Sequence, residues 1–138
     1  MADGSGLKEG STAPEITILN DSIENPMTGD KRLRLISFWT PKNPASRISN
    51  SEYSKYFSAH PESEIDFISI CIDEDDILGK EVLKKDGISE ESGRHFLFSD
   101  VDKRVFKDFG VEENPEAFLI NEKGKILSVS PSAGMLEN

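Results

Sequence analysis

LRLISFWTPKNPASRISNSEYSKYFSAH, residues 33–60, changes its period in the middle. Leu33 to Trp39 is a nearly unbroken apolar run ending in two aromatics, the pattern of a buried strand. From Pro44 to His60 the apolar residues return at helical spacing, which predicts Ala45, Ile48, Tyr53, Tyr56 and Phe57 on one face. Between the two lies a short polar turn with no cysteine, histidine or carboxylate. Asn43 suits an N-cap, where its side-chain oxygen accepts from an orphaned backbone N–H. Pro44 suits the first helical position, where no donor is needed. A strand therefore feeds a helix through a tight turn that is framed like a reactive site and lacks a nucleophile of the usual kind.

The pattern continues outward. EITIL (15–19) reads as a short strand and NDSIENPMTGDK (20–31) as a turn-rich connection. IDFISICI (65–72) is apolar enough for a central strand covered on both faces. DEDDILGKEVLKKDG (73–87) reads as a helix, with Ile77, Leu78, Val82 and Leu83 inward, acids in its first turn, Lys84 and Lys85 in its last, and Gly87 as the stop. HFLF (95–98) is a strand, and DVDKRVFKDFG (100–110) a helix with Val105, Phe106 and Phe109 inward. EAFLI (116–120) and KILSVS (125–130) flank a hairpin loop. The order β, β, α, β, α, β, α, β, β predicts one α/β domain over 8–138, its central mixed sheet flanked by helices, with a C-terminal hairpin. The closing helix is expected to be short or absent, since SPSAGMLEN has room for about one turn. A sheet face left bare there would favour a homodimer or a host protein.

Composition removes several functions. The chain has 138 residues and a formal charge of −10, so nucleic acid and anionic membrane surfaces are disfavoured partners. No apolar run reaches the roughly 18–20 residues of a membrane span. Residues 1–7 lack the pattern of a secretory signal and are expected to be disordered. One cysteine, Cys71, cannot form an internal disulfide, and with only His60 and His95 it cannot complete a zinc site. Neither a metal nor another cofactor is expected. Cys71 lies mid-strand, where a free thiol behaves as a small hydrophobe. Asp73 to Asp76 lacks the ligand spacing of a calcium loop and reads as an acidic helix start.

Several strings resemble the thioredoxin-like superfamily, and within it the TlpA/ResA-type thiol-disulfide oxidoreductases, relatives of the AhpC/TSA proteins. KEGSTAPEITIL is similar to the family's entry segment, LISFW to its strand before the active site, and FISICIDED to its strand with an acidic end. FGVEENPEAFLINEKGKIL is similar to its Gly-Val-x-x-x-Pro-x-x-Phe-Leu-Ile-Asp-x-x-Gly-Lys-Ile segment. The likeness spans residues 8–130 and implies a thioredoxin-like fold and an extracytoplasmic setting. The family follows Phe-Trp, after three residues, with Cys-x-x-Cys; here Asn43 and Ser46 stand at those positions.

Disulfide exchange needs an attacking thiolate and a second, resolving thiol, and neither is present at that turn. Ser46 would need a base to act as a nucleophile, and His60 and His95 lie on other elements. The resemblance makes Pro115 a cis-proline opposite the turn; the alternative is a trans proline opening an edge strand. It also implies a surviving groove made of Trp39, Pro41, Lys42, Asn43, Asn114 and Pro115, able to pair with a protein or extended peptide. A tryptophan at position 39 is more often a core residue than a stacking platform. The expectation is a redox-inactive binding or accessory domain with vestigial positions Asn43 and Ser46. The alternative is an oxidoreductase or isomerase whose cysteines come from a partner.

Overall fold

The structure, a computed structural model, describes residues 7–19 and 31–137. The expected connection at 20–31 and the opening segment 1–7 lie outside these residues except for Lys31 and Leu7; Leu7 packs against the core. The strands are β1 (Leu33–Trp39), β2 (Ile65–Cys71), β3 (Arg94–Phe96), β4 (Ala117–Ile120) and β5 (Ile126–Val129), and the helices are α1 (Pro44–Ala59), α2 (Asp76–Lys85) and α3 (Arg104–Asp108). One mixed sheet forms in the order β3-β2-β1-β4-β5. β1 pairs in parallel with β2, Leu33 opposite Ile65 through Trp39 opposite Cys71, and β2 in parallel with β3. β4 joins β1 antiparallel, Arg34 opposite Ile120, and β5 completes the hairpin. This is the α/β architecture with a mixed sheet read from the sequence.

α2 begins at Asp76, later than the 73–87 read from the sequence, so only Asp76 of the acidic run lies in its first turn. The Asp75 carboxylate accepts the Leu78 N–H at 3.1 Å and caps α2, with Lys84 and Lys85 in its last turn. Gly87 (φ 71°) and Gly110 (φ 67°) follow α2 and α3 in the left-handed region, which costs glycine little.

Four further expectations are corrected. Residues 15–19 form no strand: Ile18 makes a single bridge to Val101, the Leu19 N–H donates to the Asp100 carbonyl, and the Asp102 N–H donates to the Thr17 carbonyl. The segment lies against a turn, which offers no continuous partner. The third strand ends at Phe96 instead of 98, because the Leu97 N–H donates to the Asp100 carboxylate at 2.8 Å and the chain enters a 3₁₀ turn, Phe98–Asp100. The helix expected over 100–110 is confined to α3; Val101 is bridged to Ile18, and the Asp102 carboxylate accepts the Arg104 N–H at 3.0 Å, delaying its start.

The fourth correction concerns α1 and α2. α1 turns Ser46, Asn50, Tyr53, Ser54 and Phe57 inward, leaving Ala45 and Ile48 exposed. The Ser46 hydroxyl is bonded to the turn before the helix, which fixes the rotation and sends Ile48 outward. Ile77 of α2 is likewise exposed.

The sheet is covered on both faces. Ile36, Phe38, Ile68, Ile70 and Phe118 pack with Ile16 and with Val105, Phe106 and Phe109 of the α3 region. On the other face Leu35, Phe67 and Ala117 pack with Tyr53 and Phe57 of α1. The chain closes on a 3₁₀ turn, Ala133–Glu137, whose Leu136 is buried in that second cluster. The Tyr53 hydroxyl donates to the Pro131 carbonyl at 2.5 Å and the Tyr56 hydroxyl to the Leu136 carbonyl at 3.0 Å, so the turn is tied to α1. Among the described residues no helix is long and apolar enough to cross a membrane.

Candidate functional site

The β1-to-α1 junction is a closed hydrogen-bonded unit. The Asn43 side-chain oxygen accepts the Ser46 N–H at 2.9 Å, the N-cap bond expected from its position. The Ser46 hydroxyl lies 2.9 Å from the Asn43 carbonyl and 3.3 Å from the Thr40 carbonyl, and accepts the Thr40 N–H at 3.1 Å. Its partners are all backbone, so no base is aimed at it. His60 caps the end of α1, and the His95 ring is held by Ser69, Ser92 and Ser89. The serine-nucleophile reading has no geometry behind it.

The groove residues named from the sequence part company. Asn43, Ser46, Asn114 and Pro115 line one cleft of about 270 Å³, together with Ser37, Ser49, Tyr53, Glu116 and Ser130. Pro41 lines a different cleft on the outer side of α1, beside Ile48 and the bidentate Arg47–Asp86 pair at 2.8 and 2.9 Å. Lys42 lines a third, extending to within 3.6 Å of Asp73. Trp39 is buried against Cys71 and Val82 and lines none of the three, so it belongs to the core, the commoner place for a tryptophan.

Pro115 shares the cleft with the junction, but the Asn114–Pro115 peptide is trans: no cis bond occurs among the described residues. The chain instead enters β4 through a bond from the Phe38 N–H to the Glu116 carbonyl at 3.1 Å. The proline is therefore trans, but the strand it precedes, β4, lies between β1 and β5 and is not the edge strand expected.

Cys71 sits under α2. A methyl group added at Gly79 would lie 3.3 Å from its sulfur. Burial pushes the thiol up to about 11, with Asp73 and Asp76 adding to the rise against a backbone hydrogen bond at Asp73 that lowers it. A neutral, covered thiol is a poor nucleophile. Asp73 is spent on the turn, accepting the Asp75 N–H at 2.8 Å, and among the described residues no three histidine, cysteine or acidic side chains gather as a metal-binding set.

Sequence reasoning missed Ser37, Glu116 and Ser130. Ser37 did leave a signal, as the one polar residue between Leu35 and Trp39 in an otherwise apolar run. It is buried at 2% exposure, lines the cleft, and its hydroxyl has no hydrogen-bond partner among the described residues. Ser130 left none. Its φ of 47° is in the left-handed region; its N–H donates to the Ala117 carbonyl at 2.7 Å and its hydroxyl accepts the Ala117 N–H at 3.2 Å, holding the cleft's far wall.

No protein-family model matches the sequence, and no curated protein is significantly similar to it. Solved structures are similar in fold. A thioredoxin-like protein from Parabacteroides distasonis superimposes with a TM-score of 0.78 at 22% identity, covering 96% of this chain and 93% of its own. The thioredoxin domain of a thiol-disulfide oxidoreductase from Bacteroides vulgatus gives 0.71 at 21% identity, over 95% and 94%. StoA from Bacillus subtilis gives 0.68 at 17%, over 91% and 96%. At such identities the likeness is one of architecture, and it agrees with the strand order and the junction described above: this chain has the thioredoxin-like fold.

Proposed function

We propose that this domain is a peptide-binding or accessory module that performs no dithiol exchange of its own. One observation carries the reading. Asn43 and Ser46, at the positions where the resembled family has its two cysteines, are spent on a satisfied helix cap, yet they still border an open cleft shared with Asn114 and Pro115. The Asn43 oxygen is used by the cap, while its amide N–H₂ has no partner among the described residues and remains a donor at the cleft. A donor at one wall and a strand-entry segment at the other suit an extended chain laid between them. An extracytoplasmic setting belongs to the same proposal and rests on the sequence resemblance.

The test is a titration of the ¹⁵N-labelled domain with a reduced, carboxymethylated protein, which supplies unfolded chain without thiols. Shifts gathered at residues 37, 43, 46, 49, 114–116 and 130 are expected. Shifts scattered over the surface, or none, overturn the reading. In an insulin-reduction assay with dithiothreitol the domain should add nothing to the background rate, and a rate well above it would defeat the proposal. The double variant Asn43→Cys, Ser46→Cys should add a measurable rate, because it places two thiols at a helix N-terminus, where a thiolate is stabilised.

A further inference from the structure

We infer that the cleft selects an extended protein segment carrying a lysine or arginine, with the Glu116 carboxylate as the cation's partner and the Ser37 hydroxyl as a polar contact at the floor. This rests on the peptide-binding reading above and specifies what the bound segment must present. The charges around the cleft are one-sided. Glu116 is the one charged residue lining it, and its carboxylate is met only by the Ser130 hydroxyl at 3.4 Å among the described residues. Exposed Glu112 and Glu113 precede this wall in the sequence without lining the cleft; Glu112 lines the neighbouring one with Lys42 and Asp73. Cations near the junction are committed elsewhere: Lys42 lies within 3.6 Å of Asp73, and Arg47 is locked to Asp86.

The second, independent observation is Ser37. Ser37 is the most deeply buried polar residue lining the cleft, and its hydroxyl, which has no partner within the described residues, is not among the buried unpaired atoms, so it is open to the cleft. A polar group of a bound segment can therefore reach it. The volume of about 270 Å³ suits one long side chain with its adjoining peptide rather than a folded partner. Acidic and neutral segments lack the cation; an acidic one also meets repulsion from Glu116.

The probes are short capped peptides of alternating serine and valine with lysine, glutamine or glutamate at the centre, titrated into the ¹⁵N-labelled domain at low and high salt. The lysine peptide should bind about tenfold more tightly than the glutamine peptide, as expected for one charge-assisted hydrogen bond, and the glutamate peptide more weakly still. Glu116→Gln should abolish the lysine preference, Glu116→Lys should reverse it towards glutamate, and Glu122→Gln in the hairpin loop should change nothing. Ser37→Ala should weaken all three peptides alike. If all three bind in the cleft with equal affinity, the charge selection is overturned while the peptide-binding reading stands. If none shifts residues 37, 43, 46 and 114–116, both fall. A lysine preference that survives Glu116→Gln also overturns the inference.

Discussion

The two faces of the sheet are built on different rules. On the α3 face, beyond the buried Arg34 where β1 begins, the packing is aromatic and aliphatic: Phe38 lies 5.0 Å from Phe109 and 6.1 Å from Phe118, ring centre to ring centre. On the α1 face, Ser37, Ser69, Asn50, Ser54 and Ser92 are all buried, and both side-chain polar atoms of Asn50 are unpaired among the described residues. A fold held only by burial would not place five polar side chains under one helix, since each must be hydrogen-bonded or bear a desolvation cost. The α3 face therefore carries stability, while the α1 face gives some up to keep a layer of polar side chains between α1 and the sheet, of which Ser37 alone lines the cleft.

That contrast is broken most directly from the apolar side. Phe109→Ala should cost about 3–5 kcal/mol, the usual loss for a fully buried phenylalanine, because Phe109 is wholly inaccessible and touches both Phe38 and Phe118. Urea unfolding of the variant measures it. A loss below about 1 kcal/mol would fall in the range of surface substitutions and would remove the distinction between the faces.

The polar side predicts the opposite sign. Asn50→Leu keeps the branched side-chain skeleton and deletes two buried, unpaired polar atoms, so the domain should gain about 1–3 kcal/mol. The same unfolding measurement decides it. A loss would mean that the amide is bound to internal solvent and that the layer is satisfied after all.

Much of this division was legible in the residues and some was not. Phe38, Ile68 and Ile70 announce buried strands through near-continuous apolar runs, and Val105, Phe106 and Phe109 announce an inward helix face through their spacing. Asn43 and Pro44 announce the helix start, since capping depends on local chemistry that a short window contains. The orientation of α1 was hidden. Ala45 and Ile48 imply one inward face, and the bonds from the Ser46 hydroxyl back to Thr40 and Asn43 impose another. Periodicity counts apolar residues and cannot see a polar stripe at 46, 50 and 54. The cleft's far wall was hidden for a different reason: Glu116 and Ser130 meet Asn43 only because β4 folds back beside β1, a long-range pairing.

The smallest effect tests the polar layer through His95, where it meets the loop before β3. Nε2 lies 3.0 Å from the Ser89 carbonyl, which can only accept, so the proton sits on Nε2. Nδ1 then accepts from the Ser69 hydroxyl at 2.6 Å, and Ser92 joins Nε2 to Ser54 through bonds of 3.0 Å each. Burial pushes His95 below its ordinary 6.5, against smaller raising effects from the Ser89 carbonyl and Glu90. Protonation would place a second donor against the Ser69 hydroxyl, which already donates. The unfolded chain takes up that proton first as pH falls, so it binds more protons than the native state just below 6.5, and stability declines with acidification. His95→Asn removes this contribution. Between about pH 7 and about pH 5, the range in which histidine titrates, the urea midpoint of the variant should fall less steeply than that of the parent. Equal slopes would show that the ring protonates as easily in the fold as outside it, and that the layer under α1 is open to water at this end.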